Sequence, residues 1–151
     1  MLIPTESVYE QCESLRQRAG VFVTVRMHQE LRGCVGTLEP TYGDTALEII
    51  ENAIAAAFRD PRFAPVCADE MADLSISVDI LKPLEPVAGI DDLNPMRYGV
   101  VVRNGERRGL LLPGIEHITC VEEQIAIARV KGEIEEHETV ELYRFEVDRY
   151  H

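Results

Sequence analysis

The sequence predicts an α+β fold in which a mainly antiparallel or mixed central sheet is covered by helices. Two strand-like segments, at 21–27 (VFVTVRM) and 31–38 (LRGCVGTL), are separated by only three residues, which is typical of a hairpin. The helical segments fall between groups of strands and do not alternate with single strands, which indicates an α+β arrangement. The Pro-rich passage that begins at residue 82 leaves room for a smaller second lobe at about 82–115.

A chain of 151 residues has a common length for one domain, so we expect a single domain over residues 1–151. The four cysteines, at positions 12, 34, 67 and 120, form no CxxC pair, so neither a zinc knuckle nor a disulfide framework is predicted. The N-terminus has no basic start followed by an apolar core, and no segment reaches the roughly 18–20 apolar residues that span a bilayer. We therefore expect a cytoplasmic protein without a membrane segment.

The chain is acidic, with a formal net charge of -12 from 15 Lys and Arg against 27 Asp and Glu. Such a charge repels phosphate backbones and anionic lipid surfaces, so nucleic-acid and membrane partners are disfavoured. Arg103, Arg107 and Arg108 do lie close together in the sequence, on either side of a predicted hairpin turn. We interpret them as a solvated hairpin tip, in preference to a phosphate site.

Three helices are predicted. A short one at 7–18 would place Val8, Cys12 and Leu15 on one face. The strongest, TALEIIENAIAAAFRD at 45–60, has a capping box and a stripe of large apolar residues at helical spacing. The capping box pairs Thr45 with Glu48, and the stripe consists of Leu47, Ile50, Ile54 and Phe58.

The third helix is predicted to run to about Val130, behind a capping box of Thr119 and Glu122. Its inward face would carry Val121, Ile125 and Ala128.

Further strands follow from alternation and turn chemistry. Residues 74–81 alternate apolar and polar side chains, which is typical of a strand with one buried face. Residues 99–103 and 109–112 flank Asn104 and Gly105, which favour a tight hairpin. A last strand is expected at about 140–147.

Four segments resemble the AMMECR domain family in order and spacing: GVFVTV at 20–25, LRGCVGTLEP at 31–40, AAAFRDPRF at 55–63 and LSISVDILKPLEPV at 74–87. Three more are similar to its bacterial branch, protein A of the AmmeMemoRadiSam system: GLLLP at 109–113, VEEQIAIARVKGEI at 121–134 and VELYRFEV at 140–147.

The resemblance implies an α+β domain with a mainly antiparallel sheet, a smaller lobe and a cleft near Leu31–Gly36. It implies functional linkage with a Memo-like protein and a radical S-adenosylmethionine protein, and it implies no assigned activity. Two features depart from the family: the N-terminal helix is short, and the turn reads His28, Gln29, Glu30 where relatives often have a glycine.

The LRGC motif supplies the candidate catalytic residues Cys34 and Arg32. They lie two residues apart, so in a regular strand they share a face, where the guanidinium would lower the pKa of the thiol. Gly33 and Gly36, with Thr37, are candidate substrate-binding residues, because missing side chains let a small molecule approach the sulfur. The alternative is a small structural cysteine whose neighbouring glycines admit a helix; it is favoured because no histidine base is placed beside Cys34.

A second candidate cluster consists of Arg59, Asp60 and Arg62, just after the strongest helix. Either arginine could bind an anionic substrate bidentately. The structural alternative, which we favour, pairs one of them with Asp60 or with the carboxyl end of the helix.

No metal or cofactor is predicted. Among the four histidines, at 28, 117, 137 and 151, no HxH or HExxH spacing occurs, and the glutamates at 133, 135, 136 and 138 lack a calcium-loop pattern. The nucleotide-binding motifs GxxxxGK[ST] and GxGxxG and the hydrolase motif GxSxG are absent from the sequence.

Three functions remain as hypotheses. The first is an accessory protein acting with the Memo-like and radical S-adenosylmethionine proteins. The second is a stand-alone enzyme that uses Cys34 and Arg32 on a small anionic substrate. The third is a pure protein-interaction module. The sequence leaves the substrate and the oligomeric state open.

Overall fold

Two four-stranded sheets, each with an α-helix packed on it, make up the computed structural model, which describes residues 2–151. The chain divides into two compact units. The first contains the residues up to Leu81 together with Asp148–His151, and the second is Lys82–Val147. The α+β prediction is confirmed, with two sheets in place of one central sheet. The lobe expected at about 82–115 lies inside the longer second unit.

The main elements are, in chain order: α1 (Glu6–Gln11), β1 (Val21–Met27), β2 (Glu30–Thr37), α2 (Thr45–Phe58), β3 (Leu74–Leu81), β4 (Glu85–Pro86), β5 (Gly99–Asn104), β6 (Arg107–Leu111), α3 (Val121–Lys131), β7 (Glu141–Phe145) and β8 (Val147–Tyr150). Three short 3₁₀ helices complete the described elements: Glu13–Arg16, Ala68–Asp73 and Ile90–Asp92. No helix within residues 2–151 is long and apolar enough to cross a membrane.

The sheet of the first unit has the order β2-β1-β3-β8, and β1 is antiparallel to both of its neighbours. The predicted hairpin is confirmed, with His28 and Gln29 as its two turn residues, both at positive φ (52° and 70°). Val21, Val23 and Val25 are buried against α2. Because strand side chains alternate, residues 22 and 24 of β1 lie on the sheet face opposite α2.

Helix α2 buries a different face from the one its sequence predicts. Phe58 is 50% exposed, and Leu47, Ile50 and Ile54 are only partly buried. The buried side chains are instead small or polar: Thr45, Ala46, Glu48, Asn52 and Ala56. The reason is the contact with β2, where a Cβ atom on Gly33 would overlap the carbonyl oxygen of Ala56. A helix that approaches a sheet this closely presents small side chains to it.

Both predicted capping boxes are wrong. Helix α2 is capped by Asp44, whose carboxylate accepts a bond from the amide of Leu47 (2.9 Å), while the Thr45 hydroxyl donates to the carbonyl of Gln17. Helix α3 begins after Cys120, whose side chain makes no capping bond. The expected inward residues of α3 do pack on the core of the second unit.

Glu48 has a role that its sequence position conceals. Its carboxylate is fully buried and accepts bonds from the Thr37 hydroxyl (3.0 Å) and the amides of Thr41 (2.6 Å) and Tyr42 (3.0 Å). It therefore ties α2 to the end of β2 and to the loop that joins them.

The N-terminal helix is shorter than predicted, since a 3₁₀ turn follows Gln11. Val8 and Cys12, both predicted to face inward, are exposed. The buried residue is Tyr9, whose hydroxyl donates to Asp44 at 2.7 Å. A tyrosine–carboxylate bond between positions 35 residues apart, and not an apolar face, attaches this segment.

The second unit has the strand order β4-β7-β5-β6. Val100, Val102 and Leu111 form its core with Ala128 of α3, and the predicted β5–β6 hairpin is confirmed, with Gly105 at φ 61°. The last strand was predicted as one element, but it divides at Glu146 into β7 and β8, which belong to different sheets.

Two arginines of the basic hairpin tip form ion pairs within this unit. Arg103 binds Glu141, and Arg107 binds Glu138.

We expect Gly33→Ala to lower the free energy of unfolding by about 2–3 kcal/mol, because backbone atoms of α2 must move to admit the methyl group. For Gly36→Ala the nearest atoms are those of the Phe22 ring, including its Cγ. This partly exposed side chain can shift more readily than backbone, so the cost should be lower, about 1–2 kcal/mol. Gly89→Ala is the control: a Cβ there meets nothing within 4 Å, so the change should stay within about 0.5 kcal/mol. Urea denaturation of the three variants checks the order, and equal effects would contradict it.

Candidate functional site

The candidate site lies on the outer edge of β2, at Cys34. Because β2 is the last strand of its sheet, alternate backbone groups point away from the sheet and need partners. The Cys34 amide donates to Oδ2 of Asp60 (3.0 Å), and the Cys34 carbonyl accepts a bond from Nη2 of Arg62 (3.2 Å). The loop after α2 thus supplies, through two side chains, the bonds that another strand would make.

Asp60 is the anchor of this loop. Its buried carboxylate also accepts bonds from the Arg62 amide (3.0 Å) and from Arg62 Nε (3.1 Å) and Nη2 (2.7 Å). The Arg62 side chain holds the pKa of Asp60 well below its usual range, aided by the amides of Cys34 and Arg62 and against the effect of burial. The group is therefore a fixed, ionised acceptor, and the structural alternative for this cluster is the pairing observed.

Arg32 does not act on Cys34 as the regular strand predicts. The β1–β2 register shifts between Val25 and Arg26, whose partners are Gly33 and Leu31, so Arg32 is the extra residue of a bulge. Its guanidinium binds the Glu70 carboxylate at 2.9 and 3.2 Å.

A third bond from Arg32 reaches the carbonyl of Ala64 at 2.8 Å. The bond to Arg32 lowers the pKa of Glu70, and the amide of Cys67 lowers it further. Arg32 therefore fastens the loop to β2 a second time.

The Cys34 thiol contacts the hydroxyl of Thr24, with 3.4 Å between Sγ and Oγ1. Residues 24 and 34 are register partners, so the thiol lies on the sheet face opposite α2. The pKa of Arg62 is raised chiefly by its bond to Asp60, against the effect of burial. Arg62 is a cation next to Cys34, since its Nη2 donates to the Cys34 carbonyl at 3.2 Å. This arrangement can hold a thiol beside a fixed ion pair.

The other predicted site residues lie apart from the group formed by Cys34, Asp60 and Arg62. Gly33 lies under α2, and Gly36 lies against the ring of Phe22. Thr37 is engaged internally, since its hydroxyl donates to Glu48 and accepts a bond from Asn52 at 3.2 Å. Arg59 is 61% exposed, 3.8 Å from Glu51. The structure thus brings together Cys34, Asp60 and Arg62, and it gives Gly33 and Thr37 internal contacts.

Two residues of the site were not found from the sequence. Thr24 faces Cys34 across the hairpin, but counting outward from the two-residue turn would pair Cys34 with Val23, because the bulge at Arg32 shifts the register by one residue. Glu70 carries no local signal, because its bond to Arg32 spans 38 residues. No group of three or more His, Cys, Asp or Glu side chains within residues 2–151 is placed to share a metal ion.

We expect Asp60→Asn to lower the free energy of unfolding by about 2 kcal/mol at neutral pH, because it removes a buried charge from four N–H donors, the Cys34 amide and three groups of Arg62. The folded pKa of Asp60 lies below its unfolded value of about 3.9, so this stabilisation exists above pH about 4 and is lost as the pH falls through the folded pKa. The difference between wild type and variant should therefore shrink below pH about 4.

Urea denaturation between neutral pH and pH of about 2 measures this difference, with Asp69→Asn, at an exposed position, as the control. A difference that stays constant with pH would show that Asp60 contributes through something other than its charge.

Comparison with known proteins gives consistent results. A protein of Thermotoga maritima is 54% identical over 149 residues, covering 97% of this chain and 84% of that protein. A protein of Clostridium acetobutylicum is 43% identical over 143 residues, but this chain spans only 30% of its length. The crystal structure of an uncharacterized Pyrococcus horikoshii protein matches with a TM-score of 0.87 at 30% identity, covering 98% of this chain and 79% of that one.

The AMMECR1 family model matches residues 3–150, which takes in both sheets and the Cys34 site. This confirms the resemblance carried by the LRGC motif and the segments around it. The chain belongs to the AMMECR1 family.

Proposed function

We propose that the chain is an accessory protein that binds a partner or a partner's substrate at the surface formed by Cys34, Asp60 and Arg62, here called the Cys34 ledge. The main support is that the Arg62 side chain is exposed and at the same time held by an ion pair. The side chain is 55% exposed, yet Asp60 holds it in one position. A guanidinium fixed before binding loses little conformational entropy when it meets a carboxylate or carbonyl group.

Arg62 also keeps donors for a partner. Its Nε and Nη2 groups make the bonds to Asp60 and to the Cys34 carbonyl, and these bonds leave Nη1 unused. The proposed partners are the Memo-like protein and the radical S-adenosylmethionine protein, and this choice rests on the resemblance to the bacterial branch of the family.

Recognition is favoured over catalysis by the pairing of the charged groups. Asp60 accepts N–H bonds on both oxygens, and its lowered pKa makes it a poor proton acceptor. Arg32 is bound to Glu70, and the group that contacts the Cys34 thiol is the Thr24 hydroxyl, which is not a base. A cysteine nucleophile ordinarily needs a base or a cation directed at its sulfur, and these residues are directed elsewhere.

A second candidate function is supported by one observation. The Cys34 thiol contacts Thr24, and Arg62 donates to the backbone carbonyl of the same cysteine, so an anionic substrate bound by the guanidinium would be brought towards the sulfur. The enzyme hypothesis then uses Cys34 with Arg62, in place of Arg32.

We expect the purified chain to bind at least one of the two proposed partners from the same organism, and Arg62→Ala to weaken that binding roughly tenfold. Arg59→Ala is the matched control, because it removes the same charge from a nearby exposed arginine outside the ledge. Calorimetric titration measures both. Wild-type protein that binds neither partner, or an equal effect of the two variants, would contradict the proposal.

We expect Cys34 to be alkylated more slowly than the other three thiols, since it is partly buried and they are exposed. Iodoacetamide labelling followed by peptide mass spectrometry measures all four rates in one sample. If Cys34 reacts fastest despite its burial and loses this advantage in Arg62→Ala, the enzyme hypothesis replaces the accessory one.

A further inference from the structure

A second concave surface lies in the second unit, away from the residues of the ledge in the sequence. It is a groove of about 780 Å³ between one side of α3 and the loop that follows this helix. We call it the α3 groove, and its lining residues are Glu122, Ile125, Ala126, Arg129, Val130 and residues 133–136. This volume is enough to take several side chains of a ligand.

The loop wall of the groove is held in place by backbone bonds. The amide of Ile134 donates to the carbonyl of Arg129 (2.9 Å), which closes the end of α3. The Arg129 guanidinium in turn donates to the carbonyls of Glu135 (2.7 Å) and Glu138 (3.0 Å). From β6, Arg107 donates to the carbonyl of Glu133 at 2.8 Å. The groove is therefore formed before anything binds.

The groove combines an apolar floor with an acidic rim. Ile134 is buried and Ile125 partly buried, but Val130 is 77% exposed on the last turn of α3. The rim carries four exposed glutamates: Glu122, Glu133, Glu135 and Glu136. Arg129, the basic residue in the lining, turns its N–H groups to the carbonyls of Glu135 and Glu138 but keeps its charge. Arg107 interacts electrostatically with Glu133 and Glu135, so four carboxylates face two cations and the rim has a net negative charge. Apolar surface beside four carboxylates complements a ligand that is apolar on one side and cationic on the other.

Glu133 has a backbone conformation that is unfavourable for any residue except glycine. Its φ is 56°, in the left-handed region where glycine is ordinarily preferred at a helix end. A non-glycine residue in this region is less stable than glycine, because its Cβ crowds the backbone. The glutamate at this position therefore adds a negative charge to the rim and makes the end of α3 less stable than glycine would.

We propose that the α3 groove binds a basic amphipathic helix of a partner protein, with an apolar side chain over Val130 and lysines or arginines towards the four glutamates. Helices of this kind dock into preformed grooves through residues three and four positions apart. The proposal is independent of the Cys34 ledge, which lies in the first unit and has different chemistry.

The test uses two labelled synthetic peptides of about four helical turns, one built from leucine and lysine and one from leucine and glutamate. Fluorescence anisotropy should show that the leucine–lysine peptide binds, more weakly as salt rises, and that the leucine–glutamate peptide does not. Val130→Asp should weaken binding at least about tenfold, since it places a charge on the apolar contact. Glu133→Gly should weaken binding and also shift the midpoint of urea denaturation to a higher urea concentration, since glycine suits the positive φ at this position.

The control separates the groove from the overall charge of the chain. Glu135→Lys with Glu136→Lys should abolish most of the binding, whereas Glu106→Lys with Glu116→Lys makes the same charge change at exposed positions outside the groove and should have little effect. All the substituted side chains are exposed, so the variants are expected to fold, and circular dichroism checks this. Equal effects of the two double variants, unchanged binding by Val130→Asp or binding of the leucine–glutamate peptide would overturn the proposal.

Discussion

Helix α2 lies so close to strand β2 at Gly33 that no side chain fits between them, and much of the first unit is arranged around this contact. It brings small side chains of the helix to the sheet and leaves the larger apolar ones on the sides. It also determines where the chain emerges, because Asp60 follows the last helical residue, Phe58, by two positions. The carboxylate therefore reaches the amide of Cys34, the next residue along β2 from Gly33.

The same geometry explains why the loop after α2 stays attached to an open strand edge. Exposed strand edges tend to pair with other chains, and proteins commonly block them with charges or a covering loop. Here the covering loop is fastened at Cys34 by Asp60 and at Arg32 by Glu70. Both attachments include a carboxylate–arginine ion pair, Asp60 with Arg62 and Glu70 with Arg32. The loop therefore places fixed charges along the backbone edge of β2. The fixed charge of Arg62 suits recognition for that reason.

Local sequence patterns predicted where the strands and helices lie, but they did not predict which side chains are in contact. Alternation and turn residues located β1, β2, β3 and the β5–β6 hairpin, because these signals depend only on neighbours in the chain. The buried face of α2 was missed because the largest apolar residues were assumed to point inward, which fails where a helix packs on glycine. Arg32 was misjudged because a bulge interrupts the period of two. The bond from Cys34 to Asp60 spans 26 residues, so no local pattern contains it.

The net charge of -12 has a more specific meaning once the arginines are located. Arg32, Arg62, Arg103 and Arg107 bind carboxylates of their own unit, and Arg129 binds carbonyls. Positive charge is thus largely used to hold loops and hairpins in place, while glutamates of the α3 groove face solvent beside an exposed valine. An arginine already bound to a carboxylate attracts polyanions weakly, whereas exposed glutamates that outnumber the arginines beside them leave a net negative charge. This difference is the basis on which we propose a basic ligand for the α3 groove.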